Sequence, residues 1–283
     1  FYFIAKESAT EHLELRQAFL LTNSAWLSIA LFGSLPFLFS QINMSFVDAI
    51  FESTSGITTT GSTVIVNLED TSHGILIWRA LLQWLGGVGI IVMALAILPM
   101  LSVGGMQLFK TESYETPDKV VPKAATFAAG ISIVYSILTI AWALMLWKAG
   151  MPIFDSIAHA MTTLATGGYS TKSSSLAAFD SSSIELIIIF GMIVGFLPFV
   201  HYLSITKNGW KNLIKDDQVK WFLTIIIVVT LIISFYLYLQ NIPYLDALRL
   251  SSFNVVSIIS GTGFGTSDFN NWGGLATTFL FML

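Results

Sequence analysis

The stretch Ser260-Gly-Thr-Gly-Phe-Gly-Thr266 decides how the rest of this chain is interpreted. It lies between an apolar segment before it, residues 221–239, and the start of another after it, residues 272–283. Both segments have the composition of membrane helices, whereas Gly and Thr in this pattern favour irregular backbone. Irregular backbone exists at membrane depth only where it is buried in protein or lines a watery cavity. We therefore predict a structured loop inside a membrane protein.

The overall composition is that of an integral membrane protein. The 283 residues are 54% hydrophobic and 11% charged, with a mean hydropathy of +0.76, whereas a soluble domain carries about a quarter charged residues. Residues 124–147 and 221–239 contain no charge, and about 20 such residues cross ~30 Å of hydrocarbon. An all-α membrane protein is therefore predicted. The sequence contains no Cys, which excludes disulfides and thiolate metal sites.

The opening loop has two earlier counterparts, residues 57–63 and 165–171. We call the three segments loop 1, loop 2 and loop 3 in chain order. The alignment brings one glycine of each loop into register: Gly61, Gly168 and Gly263. Asp48 and Asp155 each lie 13 residues before their glycine, and Asp246 lies 17 before, which predicts a small insertion in the third copy. Such repetition predicts an architecture built from similar units.

Each unit is predicted to contain a membrane span, a short re-entrant helix, the Thr/Gly loop and a second span. The predicted domains are a polar arm (1–16), a first unit (17–123), a second unit (124–220) and a truncated third unit (221–283). The predicted spans are residues 18–40, 75–103, 124–148, 184–204 and 221–239, and the short helices are 49–56, 156–164 and one that ends at residue 259.

The basic residues predict the orientation of these units. Most of them fall in the polar arm and in the two loops between units, 104–123 and 207–220. By the positive-inside rule these segments are cytoplasmic, and the Thr/Gly loops enter from outside. Every unit then has the same orientation, which predicts a pseudo-symmetric arrangement around one pore and argues against inverted repeats.

The candidate functional residues are the Thr and Gly positions of the three loops. We predict that their backbone carbonyls and hydroxyls bind a dehydrated monovalent cation, because weak neutral oxygens can replace its water and still release it. The predicted ion-binding residues are Thr59, Thr60, Gly61, Thr166, Gly167, Gly168, Gly261, Thr262 and Gly263. The alternative is that these are turn glycines between packed helices.

Other polar residues are interpreted as structural. Glu52 and His159 lie nine residues before the aligned glycine, where the third unit has Asn254, and we expect them to pack behind the loops. For Arg79 and Glu185, near span ends, we expect snorkelling or pairing with a partner. The His residues lack metal-ligand spacing, and no P-loop or dinucleotide fingerprint occurs. The sequence therefore predicts neither an enzyme nor a bound cofactor.

Several stretches of this chain resemble the Trk/Ktr/HKT superfamily of potassium transporters, and closely its bacterial TrkH branch. The similarity covers essentially the whole chain. The stretches that carry it are Phe51-Glu-Ser-Thr-Ser-Gly-Ile-Thr-Thr-Thr-Gly-Ser-Thr63, Trp78-Arg-Ala-Leu-Leu-Gln-Trp-Leu-Gly-Gly-Val-Gly-Ile-Ile91, Gly104-Gly-Met-Gln-Leu-Phe109, Ala165-Thr-Gly-Gly-Tyr-Ser170 and Val255-Val-Ser-Ile-Ile259.

The resemblance implies a potassium-uptake pore subunit with four such units around one pore, of which this chain carries three, the last incomplete. It also implies a multi-pass homodimer in the plasma membrane, the bacterial inner membrane, surrounded by lipid. The implied partners are K⁺, with Na⁺ and Rb⁺ as alternatives, and a cytoplasmic nucleotide-binding regulatory subunit of the TrkA type. That subunit would dock on loops such as 104–123 and 207–220. No nucleic-acid partner is implied.

Two other classes of function stay open at this point. A cation-coupled secondary transporter of another solute would be favoured by inverted repeats and mid-membrane acids, and neither is visible in the sequence. A membrane enzyme would need a reactive cluster, and a purely structural scaffold would have a featureless repeat.

Overall fold

The computed structural model describes residues 15–101, 120–199, 201–203 and 211–283, and all regular elements in these ranges are helical. The nine principal helices are α1 Leu15–Gly33, α2 Phe46–Ile57, α3 His73–Leu101, α4 Val120–Lys148, α5 Ile153–Leu164, α6 Ser182–Phe196, α7 Asp217–Leu239, α8 Tyr244–Ile259 and α9 Gly274–Phe281. Most of the predicted polar arm and of the loops 104–123 and 207–220 lies outside the described residues. The all-α fold class is confirmed.

Four described helical stretches are long and apolar enough to cross a membrane: Phe19–Leu38, His73–Ile91, Ala128–Lys148 and Asp217–Leu239. Their outer faces are apolar. On α4, for example, Ile133, Ile137 and Ile140 are exposed by 60%, 59% and 61%. Water would oppose such exposure, whereas lipid accepts it at no cost. These faces are therefore lipid-facing, as expected of an integral membrane protein.

The three short helices end within one residue of the predicted positions, whereas α2 and α5 begin three residues earlier than predicted. Helix α2 starts at an N-cap serine, Ser45, whose hydroxyl accepts from the amide of Asp48 at 3.1 Å, and α5 and α8 each follow a proline. Proline fixes a backbone angle that suits the first turn of a helix. Helices α2 and α5 have 12 residues and α8 has 16. The predicted insertion in the third unit is therefore about one extra helical turn in α8.

Two predicted spans are interrupted, and both interruptions occur at proline. The span predicted for residues 184–204 is wrong in its second half, because α6 ends at Phe196 and Leu197 is extended, with ψ 145°. Leu197 precedes Pro198, whose ring disfavours helical backbone in the residue before it. The first span, predicted for residues 18–40, ends as α1 at Gly33 and continues as a four-residue helix, Leu35–Leu38, with Pro36 in its first turn.

The short helices connect neighbouring units. Within the described chain, α2 packs against α1 and α3, α5 packs against α4 and α6, and α8 packs against α7. In addition, α5 contacts α3, and α8 contacts α6. The short helices of the second and third units therefore each lie against the second span of the unit before. This packing places the ends of the short helices, and the loops that follow them, close together.

The largest buried apolar cluster stabilises the boundary between the second and third units. Ile188 of α6 is fully buried in this cluster, whereas Phe190 on the same helix is 61% exposed. We expect Ile188→Ala to lower the free energy of unfolding by about 2–5 kcal/mol, because it leaves a cavity. Phe190→Ala is the control, since it removes a larger side chain that faces lipid. The check is the melting temperature of each purified variant in detergent, and equal temperatures would contradict this packing.

Candidate functional site: three stacked Thr/Gly loops

The three loops follow the same backbone path. Their helices end at Ile57, Leu164 and Ile259, each four residues before the aligned glycine. In every loop the amide of that glycine donates to the carbonyl oxygen six residues earlier. The distances are 3.5 Å from Gly61 to Ser55, 3.5 Å from Gly168 to Thr162 and 3.1 Å from Gly263 to Ser257. The repeat seen in the sequence is thus also a repeat of backbone geometry.

Each loop places two residues, separated by one, in the left-handed region. The φ angles are 54° and 83° at Thr59 and Gly61, 49° and 76° at Thr166 and Gly168, and 71° and 78° at Gly261 and Gly263. Glycine adopts such angles freely, but threonine is β-branched and is seldom found there. A strained backbone of this kind costs about 1–3 kcal/mol per residue and is concentrated at functional sites. Two of the three loops carry that strain at a threonine.

The loops lie side by side in chain order. A Cβ atom added to Gly61 would overlap the carbonyl oxygen of Gly167 in loop 2, and one added to Gly168 would overlap the carbonyl oxygen of Thr262 in loop 3. The same contact therefore recurs at both boundaries, from the aligned glycine of one loop to the residue before the aligned glycine in the next. A Cβ added to Gly261 or Gly263 would have no heavy atom within 4 Å.

The threonine hydroxyls of the loops have local partners. The hydroxyl oxygens of Thr58 and Thr60 lie 2.8 Å apart, and those of Ser260 and Thr262 lie 2.7 Å apart. Thr60 is exposed, whereas Thr262 is buried. The structure thus brings five of the nine predicted residues together across the loop boundaries, Gly61, Gly167, Gly168, Thr262 and Gly263, whereas Thr59, Thr60 and Thr166 belong to the same loops without a contact of this kind. Gly261, the ninth, occupies the position of Thr59 and Thr166 in loop 3 and is exposed.

The polar residues nine positions before each aligned glycine lie behind the loops, as expected. The Glu52 carboxylate accepts from the hydroxyl of Thr63 at 2.9 Å, and Nε2 of His159 lies 2.9 Å from the hydroxyl of Ser170. Asn254 donates to the carbonyl of Leu250 at 2.9 Å. Glu52, His159 and Asn254 are all buried. The interpretation of these residues as packing positions is confirmed. Glu52 and His159 bond to the chain that leaves their loops, and Asn254 bonds to its own helix.

Arg79 is buried, with 1% of its side chain exposed, so the snorkelling alternative is wrong and the pairing alternative is confirmed. Its Nε donates to Oε1 of Glu52 at 2.7 Å, and its Nη1 donates to the carbonyl of Ser170 at 3.0 Å. The guanidinium also lies 4.0 Å from the ring centroid of Tyr169, a favourable cation–π position. Arg79 thus joins the short helix of the first unit to the chain that leaves loop 2.

Glu185 is also paired across a unit boundary. Its Oε2 accepts from Nη1 of Arg249 on α8 at 2.7 Å, and its side chain is 6% exposed. In the chain between loop 1 and α3, the Glu69 carboxylate accepts from the hydroxyl and the amide of Ser173, at 2.6 and 2.8 Å. These two hydrogen bonds hold the pKa of Glu69 below its ordinary value, because they favour the charged form.

Sequence reasoning did not assign a role to Gln83. Its Nε2 donates to the carbonyl oxygen of Gly167 at 2.6 Å, and its Oε1 accepts from the amide of Tyr169 at 3.0 Å. The available signal was that Arg79 and Gln83 stand four residues apart, on one face of a helix, within a stretch that resembles the family. Neither residue could be linked to loop 2 without the structure.

The site offers neutral oxygens. Among the described residues, no three His, Asp or Glu side chains come together as they would to hold a metal ion. Loop carbonyls and hydroxyls are the ligands that suit a weakly held alkali cation, whereas a tightly bound divalent ion prefers carboxylates. Each short helix also ends at a loop, so the negative end of its dipole favours a cation there.

The buried Glu52–Arg79 pair should matter for stability, since removing one partner leaves the other charge buried. We expect Glu52→Ala to lower the free energy of unfolding by about 3–5 kcal/mol. The control is Asp217→Ala, which removes the pair between Lys220 and Asp217, whose side chains are 55% and 84% exposed; exposed pairs contribute little. For each variant, the fraction of folded protein that remains after heating in detergent is measured by gel filtration. An equal loss of folded protein in the two variants would contradict the expectation.

Comparisons of this chain with a family model, with curated proteins and with solved structures all indicate the same family. The TrkH family model, described as a cation transport protein, matches residues 2–283. The Trk system potassium uptake protein TrkI of Halomonas elongata is 40% identical over 268 residues, which cover 94% of this chain and 54% of that protein. TrkH of Escherichia coli K12 is 40% identical over 266 residues, which cover 92% of this chain and 55% of that protein.

A solved structure also matches. The crystal structure of the potassium transporter TrkH from Vibrio parahaemolyticus superposes with a TM-score of 0.86 at 36% sequence identity, covering 96% of this chain and 56% of that one. The chain spans about half the length of these relatives. With an all-helical membrane fold, three equivalent loops and a family match over nearly all of its residues, the chain belongs to the TrkH family of cation transport proteins.

Proposed function

We propose that this chain forms part of a potassium-uptake pore in which loops 1–3 supply three sectors of a selectivity filter. The observation that carries the proposal is the recurrence of one backbone path in three loops, each with two left-handed residues, stacked in chain order. Curved backbone of this kind presents successive carbonyl oxygens to an ion, which can exchange water for them. The curated relatives are described as potassium uptake proteins, which supports K⁺ as the transported ion.

The two loop-to-loop contacts support an arrangement of the units around a pore. Gly61 lies against loop 2 and Gly168 lies against loop 3 in the same sense, as expected of neighbouring sectors of a ring. We propose that the units 17–123, 124–220 and 221–283 are three successive sectors of that ring. The family resemblance implies a fourth unit, and the sector that it supplies would lie next to Gly263 of loop 3.

Partners and location are proposed on the resemblance alone. We expect a multi-pass homodimer in the plasma membrane, the inner membrane of a bacterium, with lipid against the exposed faces of helices such as α4 and α7. We also expect a cytoplasmic TrkA-type subunit to gate the pore. Na⁺ and Rb⁺ are further candidate ions, of which Rb⁺ serves as the tracer for K⁺.

Gly168→Ser should weaken the preference for Rb⁺ over Na⁺. The added side chain would overlap the carbonyl oxygen of Thr262, and the φ of 76° would be unfavourable for serine. Uptake of the two ions is measured in cells that lack their own potassium-uptake systems and express the full-length protein. Gly74→Ser is the control, because a Cβ at Gly74 meets no atom within 4 Å. An ion preference unchanged by Gly168→Ser, with normal expression, would contradict the filter proposal.

Binding of Rb⁺ should not require a second solute. A filter made of loop oxygens is complete without any co-transported molecule, whereas a coupled carrier often binds its two substrates together. We expect RbCl to raise the melting temperature of the purified full-length protein more than choline chloride does at equal ionic strength. Stabilisation that appears only when another solute is added would instead favour the coupled carrier.

A further inference from the structure

Gln83 contacts the filter loop of the neighbouring unit at two points. It lies on α3 of the first unit and is fully buried. Its Nε2 donates to the carbonyl oxygen of Gly167 at 2.6 Å, and its Oε1 accepts from the amide of Tyr169 at 3.0 Å. The two contacts lie on either side of Gly168, the residue with a φ of 76°. One side chain therefore fixes both peptide planes that flank this glycine.

Fixing these planes also fixes the direction of the Gly168 carbonyl. In a trans peptide the carbonyl of one residue and the N–H of the next point in opposite directions. The N–H of Tyr169 points at Gln83, so the carbonyl of Gly168 points away from α3. An amide side chain can make both contacts at once, because its NH₂ group donates to a carbonyl while its oxygen accepts from an N–H.

Loop 2 differs from the other two loops in how it is held by its own helix. In loop 1 the hydroxyl of Ser55 donates to the carbonyl oxygen of Ser62 at 2.6 Å. In loop 3 the hydroxyl of Ser257 donates to the carbonyl oxygen of Phe264 at 2.7 Å. The equivalent residue of the second unit is Thr162, whose hydroxyl bonds to carbonyls of its own helix at 3.2 and 3.3 Å. Loop 2 is instead held by Gln83 at different atoms, the carbonyl oxygen of Gly167 and the amide of Tyr169.

The next unit boundary has no equivalent amide. Gly86 of α3 and Gly195 of α6 correspond, since an added Cβ at either would press on the last carbonyl of its short helix, Ile57 or Leu164. This correspondence places Met192 where α3 has Gln83, three residues before the glycine. Met192 is fully buried in the same apolar cluster as Phe264 of loop 3. Of the two described boundaries, the first has an amide side chain at this position, whereas at the second boundary the polar contacts to loop 3 are made at Gly265, which bonds to Ser175, Leu176 and Ala177.

We propose that Gln83 is a positioning residue for ion selectivity, which holds the carbonyl of Gly168 in its ion-binding orientation from the adjacent unit by fixing the two peptide planes beside it. The inference rests on the proposed filter function and assigns the selectivity of one sector to a residue outside the Thr/Gly loops. Arg79, four residues earlier on α3, supports the same segment by donating to the carbonyl of Ser170.

The test compares Gln83→Met with Gln240→Met in the full-length protein. Methionine keeps the length of glutamine but makes neither hydrogen bond. Gln240 is a matched control, because its Nε2 also donates to a backbone carbonyl, that of Trp272 at 3.0 Å, outside the filter loops. In cells that lack their own potassium uptake, we expect Gln83→Met to reduce the ratio of Rb⁺ to Na⁺ uptake about tenfold, since two hydrogen bonds are lost. The control should keep the wild-type ratio.

A second variant separates positioning from folding. Adding Thr162→Ser to Gln83→Met offers loop 2 the internal serine brace that loops 1 and 3 possess. We expect this double variant to recover part of the ion preference, and also the expression if the single variant does not reach the membrane. Recovery of neither would overturn the inference, as would an unchanged ion preference in a well-expressed Gln83→Met.

The outcomes also separate this inference from the proposed function. If Gly168→Ser alters the ion preference and Gln83→Met does not, the filter stands and the role of Gln83 is overturned. If neither substitution alters it, the filter proposal itself fails. An equal loss of preference in Gln83→Met and Gln240→Met would indicate a general effect of weakened structure and would also overturn the role of Gln83.

Discussion

The contact between a glycine of one loop and a backbone carbonyl of the next is the constraint on which the site depends. Gly61 and Gly168 each lie so close to a carbonyl oxygen of the next loop that a single added carbon would overlap that oxygen. Protein interiors are close-packed, so such an overlap is not relieved without moving the whole loop. This contact therefore constrains three features together: the spacing of the units, the path of the short helices and the positions of the loop oxygens.

The strained backbone of the loops is held by many small interactions. Left-handed Thr59 and Thr166 each cost about 1–3 kcal/mol, and each is followed by a residue whose amide bonds to the end of the helix at 2.9 Å. Behind the loops, Glu52, His159 and Arg79 hold the departing chain through buried polar contacts. A buried polar network of this kind is stable only when every member has its partner. The precision of the loops thus depends on residues that lie outside them.

The sequence predicted the repeated elements well, because their signals are local. A cap residue, a short apolar helix and a Thr/Gly loop are contiguous, and the aligned glycines gave the same loop positions that the backbone angles pick out. The interruption after Phe196 was missed, although Pro198 was visible, since the apolar pattern continued beyond it. Gln83 was missed for a different reason. Its partner Gly167 is 84 residues away, and no local pattern shows which helix of one unit faces which loop of the next.

The ion pair between Glu185 and Arg249 has a consequence for biosynthesis. A ribosome delivers α6 to the membrane well before it delivers α8, and the two charges meet only when both are in place. Until then an acidic side chain stands in the first turn of an apolar helix without the partner that it has in the folded protein, which is costly in lipid. This ion pair between the second and third units therefore forms only after α8 has been inserted beside α6.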